Sequence, residues 1–285
     1  MFDAVVVTHN TPAQAQRCLA ALRWSTLPPQ RLVLVATGEN DLVANAGDGA
    51  TQVIALDGNP GYGRAANVGV RETRAPLVLV CNADLYPDRS ALEFLVAHMQ
   101  AQPDVACAGP ALRNLDGSPQ DAAFKFPGLG QAILDLWPAP NRLRASRWNG
   151  RLRAGSDPIE IDHPLGAFML LRRVAFDMVA GFAPEYWMYS EEIDLCWRFK
   201  RLGWRVTHVP AARVWHTGGA SAGPSDPVLL AELYRSRIRW YRSHVPRPVN
   251  ALAVPAMRVG LRLRAMIPGA RRAAYARARD AVAAL

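Results

Sequence analysis

The sequence predicts an α/β fold with a mostly parallel central sheet and a helical C-terminal tail. Three observations carry this. Valine-rich runs alternate with helical segments from Phe2 to Cys81, these runs are apolar at nearly every position, and arginine gathers after Arg235 in an Ala/Leu-rich background. Strands buried on both faces read as continuous apolar runs, the pattern of a parallel sheet covered by helices on both sides.

Phe2–Thr8 is the first expected strand and ends in the polar Thr8-His9-Asn10. Thr11 is placed to cap a helix with Pro12 at its first position, where the missing proline N–H costs nothing. Leu19, Leu22 and Arg23 continue that helix until Pro28-Pro29. Arg31–Ala36 and Thr51–Leu56 are further strands, and the glycine-containing stretch Asn59–Asn67 (NPGYGRAAN) opens a helix closed by Arg71-Glu72-Thr73. Leu77–Cys81 is the fourth strand; ligands are expected at the carboxyl ends of such strands. A helix over Asp88–Gln100, a strand over Val105–Gly109 and a Pro-, Gly- and Arg-rich excursion over 110–163 follow. Ala167–Arg172 returns as a strand, a helix runs from near Ser190 to Leu202 and ends at Gly203, and Trp204–Val209 is a strand stopped by Pro210. Residues 227–244 are helical. Pro255 and Pro268 are expected to divide the tail into two short helices. Within it Met257, Val259, Leu261 and Leu263 alternate with a period of two, which one amphipathic helix does not require. The expected division is a body over 1–245 and a basic tail over 246–285.

Composition narrows the class. The chain of 285 residues is 50% hydrophobic and 20% charged, which fits a soluble globular protein and excludes a disordered chain, a collagen or a coiled coil. No apolar run approaches the ~18 residues of a membrane span. Met1–Val7 begins directly as a strand without a basic leader, which predicts a cytoplasmic protein. Cys18, Cys81, Cys107 and Cys196 lie far apart without CxxC spacing and are expected to be buried thiols. From Arg235 onward twelve arginines face one acid, Asp280, a net of +11, while residues 1–234 carry −2. A uniformly basic nucleic-acid-binding fold does not divide this way, so no nucleic-acid partner is expected. Two readings of the tail stay open: a helical layer with its arginines in water, or a peripheral attachment to the anionic inner face of the cell membrane.

Four stretches can carry chemistry. Asp84 follows the strand Leu77–Cys81, where a carboxylate can hold Mn²⁺ or Mg²⁺ against a diphosphate, with Asn82 adding a neutral oxygen. The same Asn-Ala-Asp also suits an ordinary turn. Asn59–Asn67 permits close backbone approach to a phosphate at a helix start. Tyr189-Ser190-Glu191-Glu192-Ile193-Asp194 sets three carboxylates at a helix start, where the macrodipole favours acids, and Asp194 can pair with Arg198 at i,i+4. Beside Trp187 and Tyr189 the same cluster suits a carbohydrate acceptor, because aromatic faces pack on sugar rings. His216 ends an apolar run before Thr217-Gly218-Gly219 and needs a carboxylate partner such as Asp84 to act as a metal ligand.

The order of these stretches—strand–THN, NPGYGRAAN, strand–NAD, GAFMLLRR, MYSEEIDLCWR, GWRV, VWHTGG—resembles the family 2 glycosyltransferases, in the rhamnosyltransferase-like and galactofuranosyltransferase-like branch. The resemblance covers about residues 1–245. It implies the GT-A fold, a Rossmann-like nucleotide-diphospho-sugar transferase. It further implies an inverting, metal-dependent transfer of a hexose, rhamnose among the candidates, from a dTDP-, UDP- or GDP-linked donor to a glycan, lipid-linked or small-molecule hydroxyl. By this resemblance Asp84 matches the metal-binding acid, His216 the histidine completing metal or diphosphate binding, and Glu192 the catalytic base, with Glu191 next to it. Thr8, Asn10, Asn67 and Asn82 match donor-site positions. Trp187, Tyr189 and Asp194 fall on the acceptor side. The family's usual nucleobase-reading acid is missing from Val35–Asn40, where Glu39 is the candidate replacement. Two alternatives stay open: a sugar nucleotidyltransferase, although THNTPAQAQR is not its basic Gly-rich phosphate loop, and a non-catalytic carbohydrate-binding scaffold on the same fold.

Overall fold

Side-chain alternation explains how the first strands become the middle of the protein. In β1 (Phe2–His9), Ala4 and Val6 enter one buried cluster while Val5 and Val7 enter a second on the opposite face. In β2 (Leu32–Thr37) Leu32 and Leu34 oppose Val33 and Val35 in the same way. β3 (Thr51–Leu56) is the more exposed edge, and β4 (Leu77–Asn82) repeats the division with Leu77 and Leu79 against Val78 and Val80. These four pair in parallel, in the order β3-β2-β1-β4. The computed structural model describes residues 1–38, 50–137, 140–217, 226–283 and 285.

One face of the sheet is covered by α1 (Pro12–Arg23) and, after the short strand β5 (Leu85–Pro87), by α3 (Ala91–Ala101); the other is covered by α2 (Tyr62–Arg71). The sheet continues past β4 with β11 (Phe168–Arg172), β6 (Val105–Arg113), β12 (Arg205–His216) and β5. β11 is antiparallel to both neighbours, β12 is parallel to β6, and β5 is antiparallel to β12. All four cysteines are buried free thiols.

Several expectations shift. α1 does start at Pro12, but the Thr11 hydroxyl makes no cap bond and lies 2.9 Å from the Thr8 hydroxyl instead. The helix expected from Asp88 starts at Ala91, because residues 85–87 pair with β12 and the Asp88 N–H donates to the Arg213 carbonyl. Pro210 does not end its strand. Between Val209 and Arg213 the register against β6 advances by only one partner residue, from Pro110 to Ala111. Proline lacks the N–H a ladder needs, and the bulge removes that need.

The excursion over 110–163 is also tied down. β6 runs on to Arg113, and β7 (Pro119–Gln120) folds back on it. β8 (Ala123–Phe124) pairs with β10 (His163–Pro164), and β9 (Ile159–Glu160) pairs with β12. Between them lie α4 (Leu129–Leu134), α5 (Asn141–Arg144) and a single 3-10 turn at Arg147–Asn149.

After α6 (Arg173–Met178) and α7 (Glu191–Arg201) come α8 (Pro227–His244), α9 (Arg247–Met266) and α10 (Arg272–Ala283). The tail is thus helical, but α9 continues through Pro255. The proline sits on the exposed side of the helix with Ala251, whose carbonyl loses its partner where water can replace it. Residues of α4, α8, α9 and α10, with Tyr186 and Ile193, share one buried apolar cluster, so packing runs across position 245 without a break.

Candidate active site

β1 and β4 both deliver their carboxyl ends to a cleft of about 460 Å³. Its lining brings together Thr8, Asn82, Asp84, Trp187, Tyr189, Glu191, Glu192 and His216 from four separated stretches.

Strand register places the first pair. In the antiparallel β12·β5 ladder His216 stands opposite Leu85, and this sets it beside Asp84, the residue preceding β5. His216 Nε2 lies 3.6 Å from Asp84 Oδ2, and both side chains are largely buried. His216 Nδ1 contacts Gln120 Oε1 at 2.9 Å, while the Gln120 amide donates to the His216 and Asn114 oxygens. That network orients Gln120 and makes Nδ1 the protonated nitrogen. Burial lowers the His216 pKa, only partly offset by the Asp84 charge, so the ring is neutral at pH 7. A lone pair on Nε2 and a carboxylate oxygen therefore face each other with no proton between them. This donor set fits a divalent cation of the Mn²⁺ or Mg²⁺ type. Among the described residues no third His, Cys, Asp or Glu completes a cluster, which suits an ion whose remaining positions go to water and phosphate oxygens. Asn82 lines the same cleft.

The acid cluster is presented by a strained turn. Tyr189 and Ser190 have φ of 64° and 65°, two successive non-glycine residues in the left-handed region. Such conformations cost on the order of 1–3 kcal/mol each and persist where surrounding structure holds them. They turn α7 so that both its first residues, Glu191 and Glu192, reach the cleft. Glu191 is buried, and its Oε2 has no hydrogen-bond partner among the described residues. Burial, and then the neighbouring Glu192 charge, push its carboxyl well above the usual range. Glu192 is half-buried; burial raises it to about 7 against the pull of backbone N–H groups at the helix start and of Arg237. Glu191, the more deeply buried of the two, is thus the more strongly biased toward its protonated form.

Two glycines make room. A Cβ on Gly166 would lie 3.1–3.3 Å from the Cβ, Cγ and Cδ of Glu192, so this position lets the glutamate pass against the chain. Gly61 has φ of 98°, and a Cβ there would sit 2.1 Å from the Trp187 carbonyl oxygen, which itself accepts the Tyr62 N–H. That oxygen is backbone and cannot swing aside. Gly61→Ala is expected to destabilise the protein by about 3 kcal/mol or more, combining overpacking with a positive φ. Thermal melts of the purified variant check this; an unchanged midpoint would refute it.

Not every sequence-predicted residue reaches the cleft. Asn67 donates from Nδ2 to the Phe182 carbonyl and accepts the Phe182 N–H, so its amide is used in holding the 182 loop on α2 and is not available to a donor. Asp194 receives Arg198 Nε on one oxygen and His244 Nε2 on the other, both at 2.7 Å, and is a buried structural acid instead of an acceptor contact. Asn10 stands exposed just beyond β1, outside the lining. Glu39, Gly218 and Gly219 lie outside the described residues. Conversely, Tyr62, whose hydroxyl donates to the Gly166 carbonyl, and His9, whose ring reaches Thr37, line the cleft and were not singled out. Both sit inside motifs the sequence displays. Gln120 carries no sequence signal at all.

Comparison with known proteins agrees with this geometry. Residues 2–243 match the family model described as "Glycosyltransferase like family 2". The chain is 28% identical over 255 residues to the N-acetylglucosaminyl-diphospho-decaprenol L-rhamnosyltransferase of Mycobacterium tuberculosis, covering 83% of this chain and 82% of that protein. It is 36% identical over 92 residues to the rhamnosyltransferase WbbL of Escherichia coli, about a third of each chain. Among solved structures, the mannosyltransferase PcManGT of Pyrobaculum calidifontis, in complex with GDP-Man and Mn²⁺, superposes with a TM-score of 0.59 at 14% identity, covering all of this chain and 80% of that one. GalNAc-T7 with UDP, GalNAc and Mn²⁺ gives 0.57 at 14% identity, over 93% of this chain and 58% of that one. The fold is GT-A, and the match over nearly the whole body sets the nucleotidyltransferase alternative aside: the chain belongs to glycosyltransferase-like family 2 and is a glycosyltransferase.

Proposed function

We propose that the protein is an inverting rhamnosyltransferase that moves the sugar of a nucleotide-diphosphate donor to a hydroxyl of a lipid-linked glycan acceptor of the cell envelope, working peripherally at the inner face of the membrane. The observation that carries the reading is the joining, in one cleft, of a cation-fitting pair (Asp84 and His216) with a carboxyl that ionises near pH 7 (Glu192). The acceptor is suggested by the relative named for a diphospho-decaprenol substrate, and the apolar lining residues Leu165, Met188, Val228 and Leu229 are compatible with it.

Asp84 and His216 would hold Mn²⁺ or Mg²⁺, which when bound neutralises charge on the departing diphosphate. Asn82 and the carboxyl ends of β1 and β4 position the donor. Trp187 and Tyr189 offer aromatic faces to the acceptor sugar, and Trp187 is fixed by donation from its indole N–H to the Asn59 carbonyl at 2.9 Å. Glu192 as carboxylate takes the proton of the attacking hydroxyl. The acceptor oxygen bonds to the anomeric carbon while the bond to the diphosphate breaks and the nucleoside diphosphate leaves. One displacement without a covalent sugar–enzyme intermediate inverts the anomeric centre.

The test is turnover of a panel of dTDP-, UDP- and GDP-linked sugars with Mn²⁺ and an N-acetylglucosaminyl-diphospho-polyprenol acceptor, with the product linkage read by NMR. Transfer of rhamnose with inverted anomeric configuration is expected. Donor binding without transfer or hydrolysis would favour the non-catalytic scaffold, and retention of configuration would exclude the single displacement.

A further inference from the structure

The alternation of Met257, Val259, Leu261 and Leu263 has an unforeseen outcome in the helix. Met257 and Leu261 are buried against the body, whereas Val259 and Leu263 stand on the opposite side. α9 therefore carries two apolar stripes. The outer one comprises Leu252, Val259, Leu263 and Met266, spaced at i, i+7, i+11 and i+14, and Ile267 extends it; Met266 is 72% exposed. At its C-terminal end the stripe runs into an apolar groove of about 450 Å³ between Leu136 and Trp137 on one side and Leu263, Met266 and Ile267 on the other. Arg264 Nε, bonded to the Leu136 carbonyl, and the Trp137 indole, bonded to the Ala256 carbonyl, fix this groove to the helix.

Charge decides what covers this face. α9 contains no Asp or Glu, and Asp280 of α10 is engaged with Arg279. Arg262 and Arg271 are exposed beside the stripe, and among the described residues their guanidinium groups make no hydrogen bond or ion pair. A second copy of this chain would set arginine against arginine. A nucleic acid would use the charge and leave the apolar stripe in water. An anionic bilayer surface satisfies both features, with apolar side chains at the acyl boundary and guanidinium groups at the phosphates. We propose that the outer stripe of α9, its terminal groove and the flanking arginines dock the enzyme on an anionic phospholipid surface. No helix among the described residues is long and apolar enough to cross the membrane, so the contact is one of lying on it. The proposal rests on the lipid-linked acceptor only for its purpose; the surface itself is argued without it.

Flotation of the full chain with phosphatidylcholine vesicles and with equimolar phosphatidylcholine/phosphatidylglycerol vesicles tests this, with neither donor nor acceptor present. Binding to the anionic vesicles alone is expected, weakening with salt. Arg262→Gln/Arg271→Gln should weaken it tenfold or more, at about fivefold per basic residue. Leu263→Ser/Met266→Ser should weaken it comparably, and both variants should keep the wild-type melting temperature and their turnover of a soluble acceptor. Equal binding to both lipids, undiminished binding by either variant, or self-association abolished by the serine variant would overturn the proposal. Because the vesicles contain no substrate, that failure is distinct from failure of the transfer assay.

Discussion

Glu192→Gln is expected to lower turnover about 10²-fold or more while leaving donor binding nearly intact, because the amide keeps size and polarity but cannot accept the proton. The pH profile gives the sharper reading. With a carboxyl that burial raises to about 7, the wild-type kcat/KM should fall as pH drops below about 7 and level off above it, and the residual activity of the variant should lose that limb. Stability should move the other way. A carboxyl pKa raised on folding means the unfolded chain gives up its proton first, so the wild type loses stability as pH rises from about 4 to beyond 7. Glu192→Gln removes this penalty and should melt higher than wild type at pH 8, by about 1–3 kcal/mol, with the gap closing near pH 4. Glu191, which burial pushes well above the usual carboxylate range, is close in shape to glutamine, so Glu191→Gln should change turnover by no more than a few-fold. If Glu191→Gln is the inactive variant, the base is one residue earlier; if neither is, it lies elsewhere.

Asp84→Asn should cost about 10²-fold or more in turnover, since it removes the anionic half of the cation-fitting pair, and turnover in wild type should be lost on chelation and restored by Mn²⁺. Gln120 supplies a graded control. On the His216 ring it touches only the nitrogen remote from Asp84, so Gln120→Leu should lower apparent Mn²⁺ affinity about 10–100-fold, as outer partners of metal-bound histidines do, with smaller loss of turnover at saturating metal. Manganese titrations followed by turnover and by the spin-resonance signal of free Mn²⁺ separate the two effects. Full wild-type activity after exhaustive chelation would remove the metal from the mechanism.

The first four strands, the helix start near Ser190 and the helix over 227–244 were legible because each rests on local physics, chiefly continuous apolar runs and carboxylates gathered where the macrodipole favours them. Pairing could not be read this way. Asp194 and Asn67 look like site residues in a one-dimensional motif, yet each points to a distant segment, His244 on α8 in one case and Phe182 in the other. Pro210 and Pro255 were read as breaks because proline denies a hydrogen bond locally; a bulge in one strand and an exposed helix face in the other made that bond unnecessary.

By itself, then, the sequence determined the parallel sheet, the family, and the motifs bearing Asp84, Glu191, Glu192 and His216, because apolar runs and motif order are properties of neighbouring residues. Tertiary structure alone decided that the β12·β5 register sets His216 beside Asp84, that Gln120 from an unremarkable hairpin orients it, and that burial pushes both Glu191 and Glu192 above the usual carboxylate range. It also decided which of the two apolar stripes of α9 meets the body. Register, burial and the local field come from segments distant in the chain, and no short-range pattern encodes them.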